Sequence, residues 1–198
     1  KETAIVIPAV FLIYAFSTGK LEKKAVRAFF ASLPFGIIAV AYLILRFVIM
    51  KNPNENFIYH GGSFIHTFIA SCRAWSEYPL LIFAPVSQCA DYFGMSFARY
   101  PAYRAALYLG VFAGFILLPF ALYRFSRAAA FGAAWHVLFL LPVSNIIPIG
   151  VVMAERYVYP LMPGMLLIVA ALAARFLERN EGKKVYTAAA ASVFLAAA

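Results

Sequence analysis

The chain has 198 residues, 65% of them hydrophobic and 13% charged, with a mean hydropathy of +0.84 and a formal net charge of +9. A soluble domain keeps roughly a quarter of its residues charged, so the composition argues against a soluble globule, and apolar runs of roughly twenty residues match a hydrocarbon core of ~30 Å. The positive charge would suggest nucleic acid on a soluble protein, but here it falls in short segments between apolar runs. It is read as topology, with no nucleic-acid partner.

The fold class expected is all-α: a polytopic transmembrane helix bundle of about six spans with one interfacial amphipathic helix. In chain order the spans are 3–17, 28–49, 103–122, 129–146, 157–177 and 185–198. The chain opens at Lys1 without an initiator Met and closes on Ala-Ala-Ala inside an apolar run. The expectation is therefore that 1–198 is the C-terminal part of one transmembrane domain, cut at both ends. Short cytoplasmic loops collect Lys and Arg. Lys20, Lys23, Lys24 and Arg27, then Arg124 and Arg127, then Arg175, Arg179, Lys183 and Lys184 mark three such loops. That parity places 17–27, 123–128 and 178–184 inside, and 50–102 and 147–156 outside.

Segment 63–85 is a seventh apolar candidate. Counting it as a span would carry Arg124 and Arg127 to the wrong side. Its periodicity is two-faced: Phe64, Ile65, Phe68, Ile69, Cys72 and Trp75 on one side, His66, Thr67, Ala70, Arg73 and Glu77 on the other. This is the pattern of a helix lying in the membrane interface, so 63–80 is expected to lie along the outer surface, with Arg73 and Glu77 as an i,i+4 pair.

Ionisable residues at membrane depth cost about 2.5–3.5 kcal/mol each on insertion scales, so each asks for a reason. Glu155, Arg156 and Tyr159 can share the surface of a helix end where an outer loop turns into span 157–177. A guanidinium fork beside free helix N–H groups suits a phosphate, and the same residues suit an interfacial anchor. Lys1-Glu2 opens the first span as a second ionic pair or a plain helix-terminal one. Arg46, in the last turn of span 28–49, either snorkels or points into a pocket. Asp91, next to Tyr92, reads as an acid or base in a cleft or as a turn former. His136 stands alone mid-span, and His60 and His66 lack a carboxylate at ligand spacing, so the metal case is weak. No cofactor is implied, and a divalent metal is not indicated. Cys72 and Cys89 fit no metal spacing, and their pairing is left open.

Five segments in order resemble the glycosyltransferase C superfamily, specifically the membrane part of the O-mannosyltransferases that carry tetratricopeptide repeats, and their bacterial relatives. They are Lys1-Glu2-Thr3; Ala41-Tyr42-Leu43-Ile44-Leu45-Arg46-Phe47; Tyr78 through Phe83-Ala84-Pro85-Val86-Ser87 to Asp91-Tyr92; Leu141-Pro142-Val143-Ser144-Asn145; and Glu155-Arg156-Tyr157-Val158-Tyr159. The resemblance implies a membrane glycosyltransferase that moves a sugar, such as mannose, from a polyprenyl- or dolichyl-phosphate donor to a protein, glycan or lipid acceptor on the outer face. It implies a catalytic carboxylate in an outer loop before Lys1, and repeats beyond Ala198. Donor binding would then fall to Arg156, Glu155, Tyr159, Lys1, Glu2, Arg46 and Asn145, with Glu155 and Glu2 orienting the cations. The cleft or acceptor side would comprise Asp91, Tyr92, His66, Arg73 and Glu77. The chain departs from eukaryotic members at Tyr159-Pro160-Leu161-Met162-Pro163, which points to a bacterial cytoplasmic membrane rather than the endoplasmic reticulum. The competing readings are a ligase of the O-antigen type, a lipid-linked-sugar flippase and a structural membrane subunit.

Overall fold

The computed structural model describes residues 2–17, 21–45, 48, 59, 62–85, 89, 92, 99–149 and 151–179. Among them every regular element is helical: α1 (Ile7–Ser17), α2 (Leu21–Ile44), α3 (Phe64–Phe83), α4 (Ala102–Tyr123), α5 (Arg127–Leu140) and α6 (Val158–Arg179). Short 3-10 turns cover Glu2–Val6, Leu141–Val143 and Glu155–Tyr157. Three stretches are long and apolar enough to cross a membrane: Val26–Ile44, Ala102–Tyr123 and Glu155–Leu177. Of the other expected spans, α1 has only 11 residues, Arg127–Val143 is apolar but shorter than a span, and 185–198 lies outside the described residues.

Local sequence explains where the helices begin. Ser63 Oγ accepts the His66 backbone N–H at 3.3 Å, and Ser126 Oγ accepts that of Ala129 at 3.3 Å. Each side chain satisfies one of the N–H groups that a helix start leaves without a partner. Pro34, Pro79, Pro119 and Pro163 all lie inside helices. Each removes an N–H from the ladder, which membrane helices tolerate where neighbouring groups compensate.

α5 is the centre of the bundle and touches α1, α4 and α6. It runs antiparallel to each. Tyr14 of α1 meets Phe131 edge to face, Phe115 of α4 stacks on His136, and Trp135 Nε1 donates to the Pro160 carbonyl of α6 at 2.8 Å. The α5–α6 crossing is built on glycine. A methyl on Gly132 would come within 2.5 Å of the Gly164 carbonyl oxygen, and one on Gly164 within 2.6 Å of the Gly132 oxygen. Buried Ala129 and Ala133 extend the same small-residue face. Such faces let helix backbones approach closely where hydrophobicity alone gives no reason to associate.

This connectivity separates two ends. Arg124 and Arg127, exposed at the tight α4–α5 turn, and Arg175, exposed near the end of α6, mark a basic end. The opposite end gathers the Glu2–Val6 turn, the 141–157 connection and the start of α4. α3 lies along that connection. Near its N-terminus Phe64 packs edge-on to Tyr59, whose hydroxyl donates to the Ile146 carbonyl at 3.3 Å. Its middle reaches Asn145 through Ser71, and its C-terminal half joins Val143, Met153 and Val158 in the core.

The face that α3 buries differs from the one its hydrophobicity suggests. Thr67, Ala70, Ser71, Cys72, Ala74, Trp75 and Tyr78 are buried, while Phe64 and Ile65 are exposed. Small residues such as Ala70, Ser71 and Ala74 share the buried face with the bulky Trp75 and Tyr78. Phe112 of α4 closes the contact by fitting its ring against both Phe68 and Trp75.

Candidate functional site

The polar end holds one cluster assembled from two parts of the chain. Ala154 precedes the Glu155–Tyr157 turn and offers no side-chain cap to it. Glu155 points away from its neighbour in sequence. Its Oε1 accepts the Cys89 backbone N–H at 2.7 Å and the Tyr92 hydroxyl at 3.1 Å. The carboxylate therefore ties the segment following α3 to the entry of α6. Burial and the negative charge of Glu155 both raise the pKa of the Tyr92 phenol, so Tyr92 remains a donor to the carboxylate.

Glu155 does not pair with Arg156, contrary to the orienting role expected from their adjacency. Consecutive side chains in a 3-10 turn diverge by about 120°, and Glu155 finds its donors on Cys89 and Tyr92. Arg156 is exposed, with its guanidinium 5.3 Å from the centre of the Tyr157 ring and no ion pair among the described residues. Stacking on an aromatic face holds the fork in place without neutralising it. Tyr159 stands free of the core at 72% exposure. The turn thus presents a cation and a phenol outward while its carboxylate faces inward.

Asn145, expected on the donor side, has its side-chain amide engaged within the protein. It is fully buried and has a left-handed φ of 55°. Its Nδ2 donates to Ser71 Oγ at 3.1 Å, and its Oδ1 accepts the Ile149 N–H at 3.0 Å. Asparagine is among the few non-glycine residues that adopt this conformation readily, and both ends of its amide are used to seat the connection on α3.

Of the described residues expected on the cleft side, only Tyr92 joins the Glu155 cluster. Arg73 Nε bonds Glu77 Oε1 at 3.2 Å, and its Nη1 donates to the Tyr100 hydroxyl at 3.3 Å, which ties α3 to the start of α4. Both charged side chains are about a third exposed, and pairs of that kind contribute roughly 0–1 kcal/mol. His66 is exposed, and its Nδ1 lies 3.0 Å from Ser63 Oγ, within the α3 cap. Lys1, Arg46 and Asp91, with the side chain of Glu2, lie outside the described residues. No group of three or more His, Cys, Asp or Glu side chains suited to a metal occurs among the described residues. Cys72 is buried and Cys89 exposed. Burial pushes the Cys72 thiol up to about 12, which keeps it neutral and unreactive.

Sequence reasoning passed over Tyr78. It is 1% exposed, and its hydroxyl finds no hydrogen-bond partner among the described residues. Leaving a buried polar group unsatisfied costs about 1–3 kcal/mol. In the sequence it is one of 12 tyrosines, and the only available signal was its place in the Tyr78-to-Tyr92 segment of the family resemblance. Compared with protein-family models, curated proteins and solved structures, the chain matches none.

Proposed function

We propose that this chain is the donor-binding part of a polytopic membrane glycosyltransferase. It would move a sugar from a polyprenyl- or dolichyl-phosphate to a protein, glycan or lipid acceptor on the extracytoplasmic face of a bacterial cytoplasmic membrane. In this reading α1, α2, α4, α5, α6 and segment 185–198 make the six crossings. α3 lies along the outer boundary, and the basic end faces the cytoplasm, in keeping with the bias of Lys and Arg toward that side.

The observation that carries the reading is Arg156. It is exposed, stacked on Tyr157 and unshared with any described carboxylate. It stands at the start of the apolar stretch Glu155–Leu177, where a lipid-linked phosphate presents its charge. A guanidinium forks onto two phosphate oxygens, and it stabilises the negative charge that grows on the phosphate as the sugar leaves. Glu155 and Glu77 already accept hydrogen bonds within the protein, so the described residues suit donor binding better than acid–base chemistry.

The test is sugar transfer from a polyprenyl-phosphate sugar in isolated membranes. Arg156→Ala should lower transfer on the order of 10²-fold or more while membrane insertion is retained. Arg156→Lys should recover only part of the loss, since an ammonium lacks the fork. Transfer at the parent rate in Arg156→Ala would remove the basis of the assignment.

A further inference from the structure

The two ends of the bundle treat their arginines differently. At the polar end Arg73 is held by Glu77 and Tyr100, Arg104 Nε donates to the Tyr103 hydroxyl at 3.2 Å, and Arg156 stacks on Tyr157. At the basic end Arg27, Arg124, Arg127 and Arg175 are exposed, and none has a hydrogen bond, ion pair or ring contact among the described residues. Both described carboxylate side chains, Glu77 and Glu155, belong to the polar end. In sequence, 20–27, 124–127 and 175–184 hold ten lysines and arginines against three glutamates, so most of the net charge of +9 falls at the basic end. Arg127 opens α5, where a cation opposes the helix dipole. The helix itself gains nothing from it.

Packing sets three of these cations at one depth. Phe115 stacks on His136, and Arg124 and Arg127 are each nine residues from that contact, about 14 Å toward the basic end. Phe11 stacks on Phe35, and Tyr14 meets Phe131. From the Phe11–Phe35 contact, Arg27 lies about 12 Å toward the basic end along α2, and Arg127 about 10 Å along α1 and α5. Along α4, Arg124 is 20 residues from Arg104, or about 30 Å, the thickness of a hydrocarbon core. The three guanidiniums therefore stand where lipid phosphates begin, and Tyr123 and Phe125, both exposed, flank Arg124. A zwitterionic headgroup neutralises its own phosphate. An excess of unpaired cations at that depth fits phosphates that carry net negative charge.

We propose that the basic end, through Arg27, Arg124 and Arg127, binds the headgroups of acidic phospholipids in the leaflet it faces. The inference rests on the membrane placement above and is independent of sugar transfer. Each guanidinium forks onto two phosphate oxygens, and Tyr123 and Phe125 lie against the carbons of the same lipids. A cation at such a surface strengthens the attraction to acidic lipid about fivefold.

The experiment reconstitutes the full chain in phosphatidylcholine bilayers. Electron paramagnetic resonance then reads how spin-labelled phosphatidylglycerol and spin-labelled phosphatidylcholine enter the motionally restricted shell around the protein. The parent should favour phosphatidylglycerol about two- to fivefold at low salt. It should lose most of that preference in about 1 M salt, where charges are screened beyond about 3 Å. The triple variant Arg27→Gln, Arg124→Gln, Arg127→Gln should lose most of the preference while its phosphatidylcholine shell stays intact, and Arg104→Gln at the polar end should keep it. If the triple variant does not insert, the three single Arg→Gln variants decide, each lowering the ratio in part. Equal shares of the two lipids around the parent overturn the inference. So does a preference that survives high salt or the arginine substitutions, or one that Arg104→Gln removes. A parent chain that restricts neither lipid would instead contradict the membrane placement itself.

Discussion

α4 and α3 have nearly the same length, 22 and 20 residues, and opposite fates. α4 is apolar but for Arg104 in its first turn and buries no residue, with Leu107, Leu117 and Phe120 each more than 60% exposed. α3 carries His66, Arg73 and Glu77, yet buries seven residues, among them Thr67 and Ser71. In water the apolar helix would be the buried one. The inversion follows if the solvent around α4 is hydrocarbon, because lipid tails are as apolar as leucine and drive no association. What packs inside is then what fits closely: glycine, alanine and hydroxyl residues beside Trp75, Leu140, Met153 and Leu161, with Asn145 hydrogen-bonded among them.

The largest effect should come from forcing bulk into the buried class. Gly164→Val places a branched side chain against the Gly132 carbonyl and the Trp135 ring, and overpacking of this kind costs about 3 kcal/mol or more at a backbone contact. Thermal unfolding in detergent should record a large fall in midpoint. A small change would mean that α5 and α6 are not in close contact. Asn145→Ala comes next, at about 2 kcal/mol, because it removes the hydrogen bonds to Ser71 and Ile149 and imposes a left-handed φ on alanine. The smallest change belongs to the exposed class. A methyl on Gly110 or Gly114 of α4 meets nothing within 4 Å, so Gly110→Ala and Gly114→Ala should be neutral or stabilising by up to about 1 kcal/mol, the gain in helix propensity. Strong destabilisation there would show that a protein partner, not lipid, covers that side of α4.

The helical class and the two opposed ends were legible in the sequence because they depend on run length and on where arginines interrupt it. The α4–α5 turn, for example, falls at Arg124–Ser126, where charge and a capping serine coincide. The buried face of α3 was legible in part. A hydrophobic-face rule selects Phe64, Ile65, Phe68, Ile69, Cys72 and Trp75; the structure buries Cys72 and Trp75 of these, and with them Thr67, Ala70, Ser71, Ala74 and Tyr78. The partners of Glu155 were hidden for a related reason. Adjacent charges suggest a pair, but the Cys89 N–H that holds Glu155 is 66 positions away, and a backbone donor leaves no mark in a residue-type pattern. Asn145 entered the sequence reading only as a donor-binding residue implied by the resemblance; its left-handed backbone and its bond to a serine 74 residues distant leave no mark in the sequence.

The central claim is that the polar end and the basic end lie on opposite sides of a membrane, the polar end outward. Ile147 and Phe125 report on the two ends and are comparably exposed, at 56% and 58%. With Cys72 and Cys89 replaced by alanine, Ile147→Cys and Phe125→Cys are each treated in intact cells with a membrane-impermeant maleimide. The account predicts labelling of Ile147→Cys in intact cells, and of Phe125→Cys only after permeabilisation. Labelling of both in intact cells, or of Phe125→Cys alone, would contradict it.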